Sequence, residues 1–273
     1  MKKLIVILIV FIVSFQAKSQ DVLIPDEVKT YIQSRVNNQV NVGIVVGYID
    51  GQNIDYYSFG NTAIKDGTPV NKNSVFEIGS ISKTFTTTIL ALKVNSGEMS
   101  LNDPISKYLP ETVKVPTKNG KEITLQHLAT HTSALPRMPD NMDPKDVNNP
   151  FADYTYKQLY SFISNYELTR DIGVFSEYSN LGMGLLGHIL ELQSGQTFEE
   201  LVIQHIANPL QMDDTRIVLT QQMQNRLAKG HAGLSETNNW DIITLAGAGG
   251  IRSTTSDMVN YIQANLNCAS GNT

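Results

Sequence analysis

Ser80 and Lys83 lie three residues apart, where the extended stretch Phe76-Glu77-Ile78 turns at Gly79 into an apolar-periodic run reaching about Val94. On a helix, residues at i and i+3 share one face, about 5–6 Å apart at Cβ. A hydroxyl and an amine are thus held together at a helix N-terminus, where backbone N–H groups favour negative charge. That is one way to make a serine nucleophilic without a histidine. The second feature is Tyr178-Ser179-Asn180, the only Y-x-N in the chain, just ahead of another apolar run. A phenol brought against a lysine ammonium titrates below its free value and can act as a base toward a serine hydroxyl. Taken singly, each feature has a plainer reading: a capping serine followed by a surface lysine, and a core tyrosine followed by an asparagine N-cap.

The elements that must position these residues are legible in the spacing. Gln20 to Asn37 reads as a helix, with Val28, Ile32 and Val36 at four-residue intervals and Pro25 near its start. Val42 to Tyr48 and Asn53 to Phe59 read as two strands of a hairpin turned at Asp50-Gly51. The Ser80 helix stops at Gly97. Thr124 caps a short helix holding His127, and Thr155 caps Tyr156 to Tyr166. Leu181 to Leu192 carries Leu185, Ile189 and Leu192 as its expected buried stripe, and Thr197 with Glu200 forms a capping box for a helix reaching Pro209. A last helix runs from Asp257 to about Leu266, with Met258, Ile262 and Leu266 in register. Pro136 to Pro150 is the most loop-like stretch, and almost nothing near the end reads as strand.

Lys2 and Lys3, the apolar run Leu4 to Val13, and Ala17-Lys18-Ser19 fit a secretory signal peptide over residues 1–19, leaving one domain over 20–273. Its run is too short for a membrane span, and no span is expected after cleavage. Removing Lys2, Lys3 and Lys18 takes the formal charge from −5 to −8. A mildly acidic chain without a basic run argues against nucleic acid as a partner. The single cysteine, Cys268, cannot form an internal disulfide, so an exported chain must rely on its core.

Three segments together carry a resemblance: Phe76 to Lys83, Leu125-Gln126-His127-Leu128-Ala129-Thr130-His131-Thr132-Ser133-Ala134-Leu135-Pro136, and Tyr178-Ser179-Asn180-Leu181-Gly182-Met183-Gly184-Leu185-Leu186-Gly187. Ala246 to Met258 adds a fourth. The chain resembles the serine β-lactamase-related family: class C β-lactamases, DD-peptidases and esterases of the same fold. The resemblance implies an α+β, β-lactamase/transpeptidase-like fold, an antiparallel sheet flanked by helices plus a helical subdomain. It implies that Ser80 forms an acyl-enzyme, that Lys83 keeps the local field positive and shares a proton with Tyr178, and that Tyr178 is base and then acid. Asn180 would hydrogen-bond the lysine or the substrate. The substrate would be a β-lactam, a D-alanyl peptide or a small ester, with no metal or other cofactor, in the periplasm or outside the cell.

The family's third motif, K-T-G or H-x-G on a late strand, has no counterpart after the last helix, so the C-terminal strands of the sheet are expected to be missing. His231-Ala232-Gly233 matches as a string but precedes the Gly-rich segment and reads as a loop. That strand should supply the second oxyanion donor, so a truncated or catalytically defective penicillin-binding or sensor protein is the alternative function. His127 and His131 could also form half a metal site at i, i+4 spacing, but no H-E-x-x-H is present. A Ser-His-Asp arrangement through His131 stays open, though no G-x-S-x-G elbow supports it.

Overall fold

The computed structural model describes residues 24–269 and 271; the signal segment expected over 1–19 lies outside them. Helix α1 (Asp26–Asn37) starts after Pro25, whose fixed φ suits a helix entry. It packs on the hairpin of β1 (Gly43–Asp50) and β2 (Asn53–Gly60), paired antiparallel from Gly43↔Gly60 to Asp50↔Asn53. A two-residue turn, Gly51-Gln52, with Gly51 at φ 60°, fixes that register. Strand β3 (Val75–Glu77) leads through a single 3₁₀ turn, Gly79–Ile81, into α2 (Ser82–Asn95).

Short α3 (Leu125–Ala129) and α4 (Tyr156–Asn165) begin at the Thr124 and Thr155 caps that the sequence predicts, and the side chains of His127 and Gln158 close each into a capping box. Between them no helix or strand interrupts residues 130–155. Helix α5 (Asn180–Ser194) is buried along most of its length and ends at Gly195 in the left-handed region. The Thr197 capping box opens α6 (Phe198–Val202), which widens into a π-helical stretch, Ile203–Ala207, before Pro209. Then come α7 (Gln221–Gln224), the hairpin β4 (Gly230–Ala232) with β5 (Ser235–Thr237), α8 (Ala246–Gly249), β6 (Arg252–Thr254) and α9 (Thr255–Ala269).

Five expectations change. The end of the chain does contain strand: β6 pairs antiparallel with β3, and His231 lies on the β4–β5 hairpin rather than in a loop. Ser179, not Asn180, caps α5, its hydroxyl accepting the Gly182 N–H at 2.8 Å. Leu192 is exposed, because the last turns of α5 reach the surface. On α9 the buried side chains are Asp257, Val259 and Tyr261, while Ile262 and Leu266 face solvent. The helix turns a different face inward because Tyr261 stacks on Phe85 at 4.2 Å and Val259 presses on the bare backbone of Gly47.

The main core lies among α2, α3, α4, α5 and α6, with Phe85, Ile89, Leu125, Leu159, Leu185 and Phe198 all but inaccessible. Within it α5 and α8 touch backbone to backbone. A Cβ on Gly187 would come within 3.0 Å of Gly247 Cα, and one on Gly247 within 2.9 Å of the Met183 carbonyl. The glycines of both segments therefore serve a close approach, and that approach sets the depth of α8 beneath the Ser80 turn.

Candidate active site

Gly79 has φ +51°, a conformation glycine adopts without strain, and it lets β3 swing directly into the turn that carries Ser80. Ser80 is exposed at this start of the helical segment, while Lys83 is buried one turn on. Lys83 Nζ donates to Ser80 Oγ at 3.1 Å and to the Ala248 carbonyl at 2.5 Å. Two further bonds lock α8 and the residues after it to α2: Thr86 Oγ1 donates to the Gly247 carbonyl at 2.7 Å, and the Ile251 N–H donates to Ser82 Oγ at 3.2 Å. The lysine is thus fixed from beneath by a carbonyl that α5 and α2 jointly hold in place.

Tyr178 arrives from the segment before α5. Its hydroxyl is 2.6 Å from Ser80 Oγ, and Lys83 Nζ lies 4.7 Å from its ring centroid. Burial pushes the phenol upward, but the Lys83 ammonium, the Ser80 hydroxyl and the Arg137 charge outweigh it and hold Tyr178 below its ordinary value. Burial also holds the Lys83 ammonium below its usual value, helped by Arg137 and opposed by Tyr178. Ser80, Lys83 and Tyr178 therefore form one electrostatically coupled cluster joined by hydrogen bonds at Ser80 Oγ. Asn180 lines the same cavity but does not reach the lysine; its Nδ2 faces Met138 Sδ at 3.5 Å.

The cavity above Ser80, about 190 Å³, is walled by Phe151, Trp240, Ile242 and Leu245, with Gly79, Ala248 and Gly249 as its floor. Arg252 ties the wall to the strand before Ser80. It is almost wholly buried, with an ion pair to Asp241 at 3.1 Å, another to Glu77 at 3.5 Å and a bond to the Trp240 carbonyl. Trp240 N–H in turn donates to Glu77 at 2.7 Å.

The histidines do other work. His131 has φ +59° beyond the end of α3, so it does not share a helical face with His127. Its Nδ1 accepts the Ser179 N–H at 3.2 Å and its ring tilts against Tyr178, so it supports the phenol's neighbour rather than the serine. His127 Nδ1 accepts the Thr124 N–H at 3.1 Å. His188 is buried between Tyr160 and Glu191. His231 lines a separate hollow with Asn41, Gly43 and Asn61. Among the described residues no group of three or more His, Cys, Asp or Glu side chains is placed to hold a metal.

Sequence reasoning did not single out Arg137, Trp240, Phe151 or the Ala248 carbonyl. Only the Ala246-Gly247-Ala248-Gly249-Gly250 run hinted at the last, through its small residues. The other three sit in loops, where no periodicity marks them.

Comparison with known proteins places the chain in a family. The Beta-lactamase family matches residues 28–271. A "D-alanyl-D-alanine-carboxypeptidase/endopeptidase AmpH" from Escherichia coli K12 is 36% identical over 225 residues, covering 82% of this chain and 57% of that protein. A "Beta-lactamase" from Yersinia enterocolitica is 32% identical over 228 residues, covering 81% of this chain and 54% of that protein. The chain thus spans a little over half the length of these relatives. The solved structure of a Beta-lactamase/D-alanine Carboxypeptidase from Yersinia pestis superposes with a TM-score of 0.77 at 30% identity, covering 87% of this chain and 66% of that one. A class C beta lactamase from Rhodobacter sphaeroides gives 0.74 at 26% identity, covering 89% and 66%. The fold is β-lactamase/transpeptidase-like, and the chain belongs to the Beta-lactamase family.

Proposed function

We propose that this chain carries the acylation centre of an exported serine hydrolase acting on D-alanyl peptides, β-lactams or small esters. The observation that carries the reading is the pair of contacts on one oxygen: Tyr178 hydroxyl at 2.6 Å and Lys83 ammonium at 3.1 Å from Ser80 Oγ. The Ser80 proton passes to the Tyr178 phenolate as Oγ bonds to the substrate carbonyl carbon. Lys83 keeps the phenolate form accessible, and the Ser80 N–H at the helix start faces the developing oxyanion. Collapse breaks the carbonyl–nitrogen or carbonyl–oxygen bond, and Tyr178 returns the proton to the leaving group. Water then gives a proton to Tyr178 as its oxygen bonds to the acyl carbon, and Tyr178 returns that proton to Ser80 Oγ as the ester bond breaks, releasing the acid and restoring Ser80. The apolar wall of Phe151, Trp240 and Ile242 would seat the acyl side chain, with the Asn180 amide beside it. The basic-apolar opening of the sequence supports export to the periplasm or medium. Among the described residues no helix is long and apolar enough to cross a membrane.

The test is intact-protein mass spectrometry with peptide mapping after exposure to a fluorescent penicillin and, separately, to a chromogenic cephalosporin. A transient adduct on Ser80 with colour development is expected of a hydrolase. A persistent Ser80 adduct without turnover would assign a binding or sensor role, and a folded sample that forms no adduct would refute the site.

A further inference from the structure

The long loop between α3 and α4 brings Phe151 to the Ser80 cavity. None of residues 142–153 is fully buried. Their two ends are drawn together: the Tyr154 hydroxyl donates to Asn141 Oδ1 at 3.2 Å, and Asn141 Nδ2 donates to the Gln158 carbonyl of α4 at 2.9 Å. Within the loop the bonds are local, from the Asn148 N–H to Asp146 Oδ1 at 2.8 Å, the Asn149 N–H to the Asp146 carbonyl at 3.0 Å and the Lys145 N–H to Asp153 Oδ2 at 3.0 Å. This is a self-contained surface loop closed at its base.

Among the described residues, every hydrogen bond from 142–153 to a distant part of the chain ends on residues 238–241. Asn149 is the centre of that seam: its Nδ2 donates to Asp241 Oδ2 and its Oδ1 accepts the Asp241 N–H, both at 2.9 Å. Trp240 Nε1 donates to the Asn148 carbonyl at 3.1 Å, Asn238 Nδ2 donates to Asp146 Oδ2 at 3.4 Å, and the Phe151 and Trp240 rings tilt together at 5.2 Å. The far side of the seam is fixed to the body. Trp240 and Asp241 are held by Glu77 and Arg252, and Asn239 Nδ2 donates to the Ala228 carbonyl at 3.2 Å.

The seam thus runs between the two aromatic walls of the cavity. That cavity holds about 190 Å³, whereas sites for drug-sized ligands run to about 300–1,000 Å³. A bulky acyl group therefore needs a wall to yield. Parting the seam returns polar groups to water and opens no buried core, which makes it the low-stability element of the site. We propose that residues 142–153 are a flap latched by the Asn149–Asp241 pair, which swings off Trp240 to admit an acyl group larger than the closed cavity and closes again over the acyl-enzyme. The latch governs entry and retention, not the chemistry at Ser80, and its place in turnover rests on the acyl-enzyme reading.

Trp240 is the single tryptophan of the chain, so its fluorescence reports the seam directly. The experiment compares acrylamide quenching and amide hydrogen exchange in the wild-type chain, Asn149→Ala and Asn149→Asp. Asn149→Ala deletes both bonds to Asp241 and leaves the Arg252 pair; Asn149→Asp keeps the size but sets a carboxylate against Asp241. In both variants Trp240 should quench more readily and the amides of 145–152 should exchange about tenfold faster, the scale of two lost hydrogen bonds, while α2 and α5 exchange as in the wild type. Unchanged quenching and exchange in both variants would overturn the latch. A second arm follows Ser80 acylation by two thioesters that share a leaving group, one acetyl and one diphenylacetyl. The diphenylacetyl rate should rise about tenfold in Asn149→Ala while the acetyl rate holds. A diphenylacetyl rate that does not rise, or an equal change in both, would overturn the gating. No Ser80 adduct from either thioester counts against the acyl-enzyme reading alone, because quenching and exchange still read the latch.

Discussion

Replacing Gly184 by alanine tests whether the α5–α8 contact sets the lysine. The added Cβ would lie 2.5 Å from Leu245 Cδ2, 2.8 Å from Leu245 Cβ and 2.9 Å from Leu245 Cα. A rotamer change removes only the first of these clashes. The backbone must retreat by about 0.7 Å to reach the ~3.5 Å at which carbon atoms pack favourably. Overpacking of this kind costs about 1–3 kcal/mol, and alanine returns about 1 kcal/mol of helix propensity. The net loss of about 0–2 kcal/mol lowers Tm by no more than about 8 °C in a chain of this size. The effect on chemistry should be larger. Leu245 immediately precedes α8, so the same displacement stretches the 2.5 Å bond from Lys83 Nζ to the Ala248 carbonyl. A hydrogen bond to a charged group contributes about 1.5–3 kcal/mol, which corresponds to a rate loss of about 10–10² at roughly 1.4 kcal/mol per decade. Acylation by a fluorescent penicillin, followed by stopped flow well below Tm, reads this directly. Wild-type acylation in Gly184→Ala, or a loss matched by the fraction unfolded, would refute the link from helix spacing to lysine position. Gly187→Ala, whose contact is milder at 3.0 Å, should fall between the two.

Two pH effects follow from the charges. Tyr178 is held below its ordinary value, so the acidic limb of kcat/KM should lie below the free phenol value of about 10. Removing the Arg137 charge should move that limb to higher pH; a limb that stays put would deny that Arg137 acts on Tyr178. Asp257 is raised by burial despite bonds from the Thr215 hydroxyl and the Asp214 N–H. A carboxyl with a raised folded value favours the fold below its unfolded pKa and loses that contribution as pH climbs through the folded one. Asp257→Asn keeps an oxygen acceptor and removes the titration, so urea denaturation should show the variant gaining on the wild type between about pH 3.5 and pH 7. The opposite trend would mean that Asp257 is stabilised as a carboxylate.

What could be read from the residues was mostly what is local. The helix caps at Thr124, Thr155 and Thr197, the turn of the β1–β2 hairpin and the Gly79 turn depend on neighbours within four residues, and each is present. The approach of Tyr178 to Ser80 across 98 residues was expected only because the chain resembled a known family. The spacing of Met258, Ile262 and Leu266 misled because periodicity shows that a helix has an apolar stripe, and not which face its neighbours will cover. Here Phe85 and Gly47 chose another face. The β3–β6 pair escaped notice because three-residue strands carry too little alternation to detect, and Arg137 and Trp240 because loop residues carry none.

The central claim is that Tyr178 and Lys83, and no histidine, activate Ser80. Its most direct test compares the rate of Ser80 acylation in Tyr178→Phe and His131→Asn. The phenylalanine variant keeps the ring against Lys83, Arg137 and His131 and deletes only the hydroxyl 2.6 Å from Ser80. Asparagine tolerates the φ of +59° at residue 131 and retains an acceptor for the Ser179 N–H. Acylation should fall about 10²–10⁴-fold in Tyr178→Phe and stay within about tenfold of wild type in His131→Asn, where only an indirect support is altered. A fast Tyr178→Phe beside a dead but folded His131→Asn would contradict the account.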